Sequence, residues 1–446
     1  MNIVELMGCI GNYVVGWPLM IYVAVIATIY TIGLHGLQLR YFFVALKTSC
    51  FFAEKKEHDV HDMTPFQAFI NTINSNLGNG SIAGMGNALY LGGPGAALWV
   101  VIFGLMLMII RFVEVYASTV YATMNRTKKL SYGGPMLYLQ HVPGGVYLAY
   151  AYAFFCLMYG LIGGNAIQTN SISVSIAATW GINSLMIGAI LFAFVLYIVC
   201  GGAQRIINIS VAIVPIKVFI FVVSTTIVVL FHYQSLYAAL CLIIRSAFGL
   251  QEFAAGVVGF SFQHVIAAGM SRSISATESG LGSAGIVFGA TGNDDAIQNG
   301  FMGMVSTLIS TLVSFIVALC IVISGVWSSG LDGAALTIAS FDTVFGVYGG
   351  WIISFLSVSF GLGVLISYVY IARSAWLFLT NNRFSTGFIV LYSGCAFMGA
   401  VIAIELVWSL CNIAIAGILF INLYGLLMLL PKIKRDLFNK LETYRA

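Results

Sequence analysis

Charge is what this sequence lacks. Asp, Glu, Lys and Arg make up only 8% of its 446 residues, while 60% are hydrophobic. Ordinary globular chains devote roughly a quarter of their residues to charge, so a soluble domain is excluded. Acids number 15 and histidines 6, and most fall in short polar connections. A membrane enzyme would need such groups, or a nucleophile, converging on one point. No GxxxxGK[ST] motif is present, which argues against ATP-driven pumping by this chain. A channel would show a repeated filter or a ring of charge, and neither is visible. The eight cysteines stand singly without a CxxC, so they suggest no zinc site and no disulfide framework. His58 and His61, in the mixed-charge run Glu54–Asp62, are too few ligands for a metal and read as part of a solvated face.

What is present is a series of apolar runs from Tyr13 to Leu430, at lengths near the ~20 residues that cross a bilayer, some of them longer as tilting or an interruption allows. They divide into eleven spans: 13–34, 64–90, 96–123, 146–175, 182–200, 206–232, 253–272, 297–325, 344–379, 386–404 and 409–430. With the 35–62 connection in the cytoplasm, sixteen of the nineteen Lys and Arg fall on the inner side. That asymmetry predicts an outside N-terminus, a cytoplasmic C-terminus and a multi-pass plasma (inner) membrane protein. It also accounts for the net charge of +4 without nucleic acid. The first run has no basic residue before it and no A-x-A after it, so it reads as a span, not a cleaved signal. The basic amphipathic tail, 431–446, reads as a membrane-surface anchor.

Two spans differ from the rest. The second carries Asn71, Asn74, Asn76, Gly78, Asn79, Gly80, Ser81 and Gly84, and the seventh carries Gly256, Gly259, Ser261, Gln263, His264 and Gly269. A lipid-facing helix cannot hold so many polar groups, because each unpaired one in hydrocarbon costs several kcal/mol. These spans lie five apart, so they open two successive five-span units of opposite orientation, 64–232 and 253–430, after an extra first span at 13–34. Interrupted helices at matching places in two inverted halves point to a carrier's midplane site. Glycines also serve close helix packing. That is the reading for Gly84 and Gly256, whereas Gly78-Asn79-Gly80-Ser81 reads as a break.

Seven blocks, in order, then resemble one family. Leu77 to Gly84 is similar to its G-x-G-N-I-x-G, Gly92-Gly93-Pro94-Gly95-Ala96 with Trp99 to its GGPGA-x-FW, and Arg111 with Glu114 to its [K/R]-x-x-E. Tyr132 to Met136 resembles GGPMYY, and Gly164-Asn165 with Gln168, Asn170 and Ser171 resembles GN-x-x-Q-x-NS. Gly201-Gly202, Arg205-Ile206 and Pro215 resemble GG-x-x-RI…P, and Arg272 to Ala284 resembles RG-x-FSNEAGLGSA. By this resemblance the chain is identified as a divergent member of the alanine/glycine:cation symporters. The resemblance implies one all-α transporter domain with a five-plus-five inverted-repeat core of the LeuT type. It also implies sodium-coupled import of alanine or glycine, with no cofactor and no metal beyond the coupling ion. No motif speaks to oligomeric state.

An amino-acid zwitterion needs partners for its carboxylate and its ammonium, and unwound backbone supplies both. Gly78, Asn79, Gly80 and Ser81 are expected to do so in the second span, and Gly259, Phe260, Ser261 and Phe262 in the seventh. Phe260 and Phe262 would wall a pocket sized for a methyl side chain, or simply pack. Asn165 and Gln168 either contact the zwitterion or join helices. Arg111 and Glu114 read as a structural ion pair, and the family pattern suggests that Glu278 pairs with Arg272 to brace an inner gate.

Three positions depart from the family: Ser81, the run Ser275 to Gly280, and Phe360-Gly361-Leu362-Gly363-Val364, which lacks the usual hydroxyls of the ninth span. The last bears on the coupling ion, because one sodium site of this superfamily uses those hydroxyls with carbonyls near Gly78. Meanwhile Lys217 lies roughly 16 Å into the sixth span at ~1.5 Å per residue, and an intramembrane lysine points to function. Some sodium-independent relatives in the wider superfamily put a lysine of this helix where sodium would bind. Lys217 is therefore either a structural lysine or a proton-exchanging replacement for the ion near Gly78 and Gly363.

Overall fold

A computed structural model describes residues 16–50, 63–124, 133–249, 262–291, 293, 295–402 and 405–445. Among these the chain is helical, and the only strand-like feature is one bridge between Met63 and Thr291. Six helices are long and apolar enough to cross a membrane. In a compact bundle of such helices the informative elements are those that fail to stay straight.

The first long element is α1 (Trp17–Gly33). Next, α2 (Pro65–Asn76) starts on a capping box: Thr64 Oγ1 accepts from Gln67 N at 3.2 Å, and Gln67 Oε1 accepts from Thr64 N at 2.9 Å. Pro65 fits because a first-turn N–H has no helical partner. The helix stops at Leu77, passes through a π-turn (Gly80–Gly84) and resumes as α3 (Met85–Gly92). Gly93, at φ +64°, ends it in a conformation open to glycine. The long α4 (Ala96–Met124) returns across the bundle.

Next come α5 (Gly145–Leu161), a second π-turn (Ile162–Ala166) and α6 (Ile167–Trp180). The helices α7 (Ser184–Cys200) and α8 (Gly202–Phe231) follow, then the amphipathic α9 (Leu236–Ala247). A second interrupted stretch runs α10 (Phe262–Thr277), an irregular link, then α11 (Ser283–Phe288). The remainder is α12 (Ala296–Ile323), α13 (Gly333–Phe345), α14 (Tyr348–Leu379), α15 (Ser385–Val401) and α16 (Glu405–Arg445).

The bundle core holds α4 against α12, while α14 runs beside α5, α6 and α8, and α7 pairs with α15. The break after α2 and the break after α10 both lie inside this bundle. Of the span expected at 253–272, residues 262–272 fall among the described residues and form the first part of α10. Gly259, Phe260 and Ser261 lie outside the described residues. The visible interruption is Glu278–Gly282, where Glu278, Gly280 and Gly282 take φ of +52°, +90° and +80°. Hydropathy does not mark this interruption, because residues 275–288 are mostly serine, glycine and short apolar residues. Protein contacts, not lipid, satisfy them.

Candidate functional site

The asparagines of α2 and of the turn that follows it are all inside. Asn71, Asn74, Asn76 and Asn79 are each at most 4% exposed, as polar groups in a membrane helix must be. Asn74 Nδ2 donates to Ser210 Oγ at 2.8 Å, and Ser210 Oγ donates to Asn71 Oδ1 at 2.7 Å. Ser367 Oγ donates to the same oxygen at 2.8 Å. Thus α2 is tied to α8 and α14 by a buried network of neutral groups.

Lys217 completes that network. Its side chain is fully buried, and Nζ donates to Asn74 Oδ1 at 2.5 Å, Leu77 O at 3.2 Å and Asn74 O at 3.4 Å. The Phe360 ring lies beneath it, 5.1 Å to the centroid. Among the described residues no carboxylate lies within ion-pair distance of this ammonium. A buried charge is tolerated only when its field is met by oriented oxygens or an opposite charge, and here the oxygens alone do so. Two of them are carbonyls at the end of α2, where the helix has stopped and its carbonyls lack helical partners.

The glycines of α14 follow from this. A Cβ on Gly363 would lie 2.6 Å from Lys217 Nζ and inside the Asn74 amide, and one on Gly361 would lie 2.7 Å from Asn79 Nδ2. Any hydroxyl-bearing side chain at 363 would need the space that the lysine fills. Gly78 packs against Val364, 2.7 Å from the place of its Cβ.

Beyond Leu77 the chain is less fully satisfied. Ser357 Oγ donates to Asn79 Oδ1 at 2.7 Å, and Asn79 N reaches Gln168 Oε1 only at 3.5 Å. Asn79 Nδ2 and Ser81 Oγ are buried and have no hydrogen-bond partner among the described residues. A cavity of about 480 Å³ meets the turn there, lined by Asn79, Ile82 and Ala83 together with Ser175, Thr179, Ser354 and Ser357. It lies toward the end of the bundle where Trp180 and Trp351 meet edge to face at 5.8 Å.

The second interruption is closed by the protein itself. Arg111 and Glu114, both fully buried, pair at 3.1 Å. Glu114 accepts from Gly280 N at 2.9 Å and Gly285 N at 3.3 Å, while Arg111 donates to Thr277 O and reaches Ser283 Oγ and Asn76 Oδ1 at 3.5 Å. Asn422 Nδ2 donates to Gly280 O at 2.7 Å and Tyr152 OH to Leu281 O at 2.8 Å. The pair expected from the sequence is present, and it clamps the broken backbone of α10–α11 to α2.

Other expectations divide. Gln168 sits at the break, bonding Asn79 N and Gly163 O. Asn165 does not: its Nδ2 donates to Tyr392 O at 2.7 Å, the helix-joining alternative. Phe262 is 48% exposed and packs edge-on to Trp99 at 6.1 Å, so it walls no pocket at the α2 break. It lies ten residues, ~15 Å, along α10 from Arg272, and Arg272 is the residue that reaches the turn. Arg272 and Glu278 make no ion pair. Glu278 accepts from Ser283 Oγ at 3.1 Å, while the Arg272 guanidinium lies against Gly80 and Gly84. They are six apart and Glu278 has left the helix, so they do not share a helical face.

Sequence reading left Asn74, Ser210, Ser357 and Ser367 without roles. One signal was there. Ser210 and Lys217 are seven apart, two turns of one face, and Ser357, Gly361 and Val364 form a similar stripe.

Known proteins resemble this chain over most of its length. The chain is 28% identical to the uncharacterized transporter YflA of Bacillus subtilis over 95% of its length and 91% of that protein's. It is 27% identical to the sodium/alanine symporter AgcS of Methanococcus maripaludis, covering 96% of this chain and 95% of the relative. It is also 27% identical to the probable sodium/glutamine symporter GlnT of B. subtilis, covering 86% and 79%. The sequence model of the sodium:alanine symporter family matches residues 1–445. This multi-pass membrane protein, a transporter without a cofactor rather than an enzyme, belongs to the sodium:alanine symporter family.

Proposed function

We propose that this chain imports small neutral amino acids of the alanine and glycine type by secondary-active symport, and that the Lys217 ammonium stands where a coupling cation would bind. On this reading the chain is a single domain of eleven spans, with an extra first span, two inverted five-span units and a cytoplasmic basic tail. The interrupted spans are the second and the seventh. The Trp180–Trp351 end faces outside, so the cavity at Asn79 is the way in, and Gly78 to Ser81 with Gln168 receive the zwitterion.

One observation carries the coupling assignment. Lys217 Nζ is held by Asn74 Oδ1 and the end-of-helix carbonyls of Asn74 and Leu77, beside a Gly363 that has no room for a side chain. A ring of neutral oxygens around one positive centre is also the chemistry of an alkali-cation site. With the ammonium in residence, a second cation there would meet like charge at contact distance. Coupling then passes to the proton that Lys217 exchanges.

Alanine uptake into proteoliposomes tests both parts, driven first by a sodium gradient alone and then by a proton gradient alone. The expected result is accumulation on the proton gradient, lost in Lys217→Met. Strict sodium dependence that survives Lys217→Met would instead make the protein a sodium symporter, as the names of AgcS and GlnT describe those relatives. Absence of counterflow with labelled alanine, glycine or serine would overturn the carrier reading itself.

A further inference from the structure

Arg272 is the buried cation that neither the clamp nor the Lys217 pocket uses. It keeps 9% of its surface exposed, its Nε is buried without a partner, and no hydrogen bond or ion pair to it exists among the described residues. Arg111, at similar burial, has a carboxylate and three further acceptors. An unpaired guanidinium inside a bundle is costly, so its position calls for a ligand.

Its seat is made for it. A Cβ on Gly84 would lie 2.9 Å from the guanidinium carbon, and one on Gly80 would lie 2.9 Å from Nη2. Both glycines of the π-turn are thus required by the flat cation lying across them. Asn79 and Ala83, beside them on the same turn, line the cavity, so the guanidinium lies on the adjoining face of the turn that a cavity occupant would touch. Ser275, one turn along α10 from Arg272, is exposed between the buried Ile274 and Ala276. Arg272 therefore lies one turn from an exposed position of α10. The acids nearest in the chain and in the clamp are engaged elsewhere, Glu278 with Ser283 and Glu114 with Arg111.

We propose that Arg272 is the subsite for the substrate's carboxylate, gripping it at the flank of the Gly80–Gly84 turn. A guanidinium presents parallel N–H donors that match the two oxygens of a carboxylate. The substrate charge then supplies the partner that the described residues do not, so ligand entry and neutralisation of Arg272 are one event. This assignment rests on the transport reading above and adds the group that holds one end of the zwitterion.

The test uses the full chain in lipid nanodiscs and compares L-alanine with L-alaninamide, which lacks the carboxylate. Wild type is expected to bind alanine far more tightly than the amide. Arg272→Gln is expected to weaken alanine ~10–100-fold, the loss typical of a charge-assisted hydrogen-bond pair, with amide binding unchanged. Arg272→Lys should lose less. A second measurement needs no variant: alanine, but not the amide, should shield Arg272 of the wild type from phenylglyoxal, read by peptide mass spectrometry. Alanine affinity within twofold of wild type in Arg272→Gln, equal losses for both ligands, or no shielding would each overturn the assignment alone. A wild type that binds neither alanine, glycine nor serine would overturn the transport reading and this assignment with it.

Discussion

The two interruptions in this bundle treat their freed backbone in opposite ways. At Glu278–Gly282 protein groups meet the loose ends: Glu114 takes the N–H groups of Gly280 and Gly285, and Asn422 and Tyr152 take the carbonyls of Gly280 and Leu281. At Leu77–Ser81 the side toward α8 is filled by Lys217, and the side toward the cavity keeps Asn79 Nδ2 and Ser81 Oγ without partners among the described residues. One break is a rivet and the other is a socket. A helix in lipid can be broken only where something else satisfies its backbone, and only an incomplete solution leaves a place for a ligand.

The comparison breaks first at the rivet. Glu114→Gln leaves Arg111 buried without its counter-charge and weakens the hold on Gly280 and Gly285. A loss of ~3–5 kcal/mol is expected, the usual effect of removing one partner of a buried pair, read as a fall in melting temperature and poor recovery of monodisperse protein. Unchanged melting would mean that the clamp does not hold the second interruption.

A smaller effect is expected on the lysine side of the socket. Gly363→Ser adds a side chain where Lys217 Nζ and the Asn74 amide already sit, so uptake should fall severely while the protein still folds. Combined with Lys217→Met, the same serine should restore uptake and bring sodium dependence, because a hydroxyl and the freed carbonyls then surround a vacated cation place. If the double variant is no better than Gly363→Ser alone, serine and lysine are not competing for one space.

The smallest effect separates the open edge of the socket from its surroundings. Asn79→Ala should raise the KM for alanine about tenfold, in line with one lost hydrogen bond of ~1–1.5 kcal/mol, with little change in melting. Asn165→Ala should do the reverse, because its amide bonds Tyr392 O and faces away from the break. Equal effects of the two on KM would remove the distinction between site and scaffold.

Much of this was legible in the residues. The crowd of amides in the second apolar stretch required a buried, broken helix, and the glycines beside them said where. Arg111 and Glu114, at i,i+3 within one apolar stretch, had to be paired. The second interruption was not legible because the cue was hydropathy, and Ser275–Ser283 has almost none. Its break is defined by backbone angles at Glu278, Gly280 and Gly282, by an acceptor on α4 and by a donor on α16, far away in the chain. Pairing Arg272 with Glu278 failed for the same reason: closeness in sequence says little once the helix between two residues has ended.

By itself the sequence determined the class of molecule, the family and the two apolar stretches that could not be ordinary helices, because those follow from composition, periodicity and ordered motifs. It also marked Lys217 as a charge in the wrong medium. Only the tertiary structure decided which oxygens meet that charge, that Gly363 and Lys217 share one space, and that Arg272 lies across Gly80 and Gly84 with no counter-charge among the described residues. Those facts join residues on helices more than a hundred positions apart. No local propensity encodes such distances; they arise when the helices pack and each buried charge finds its neighbours or goes without.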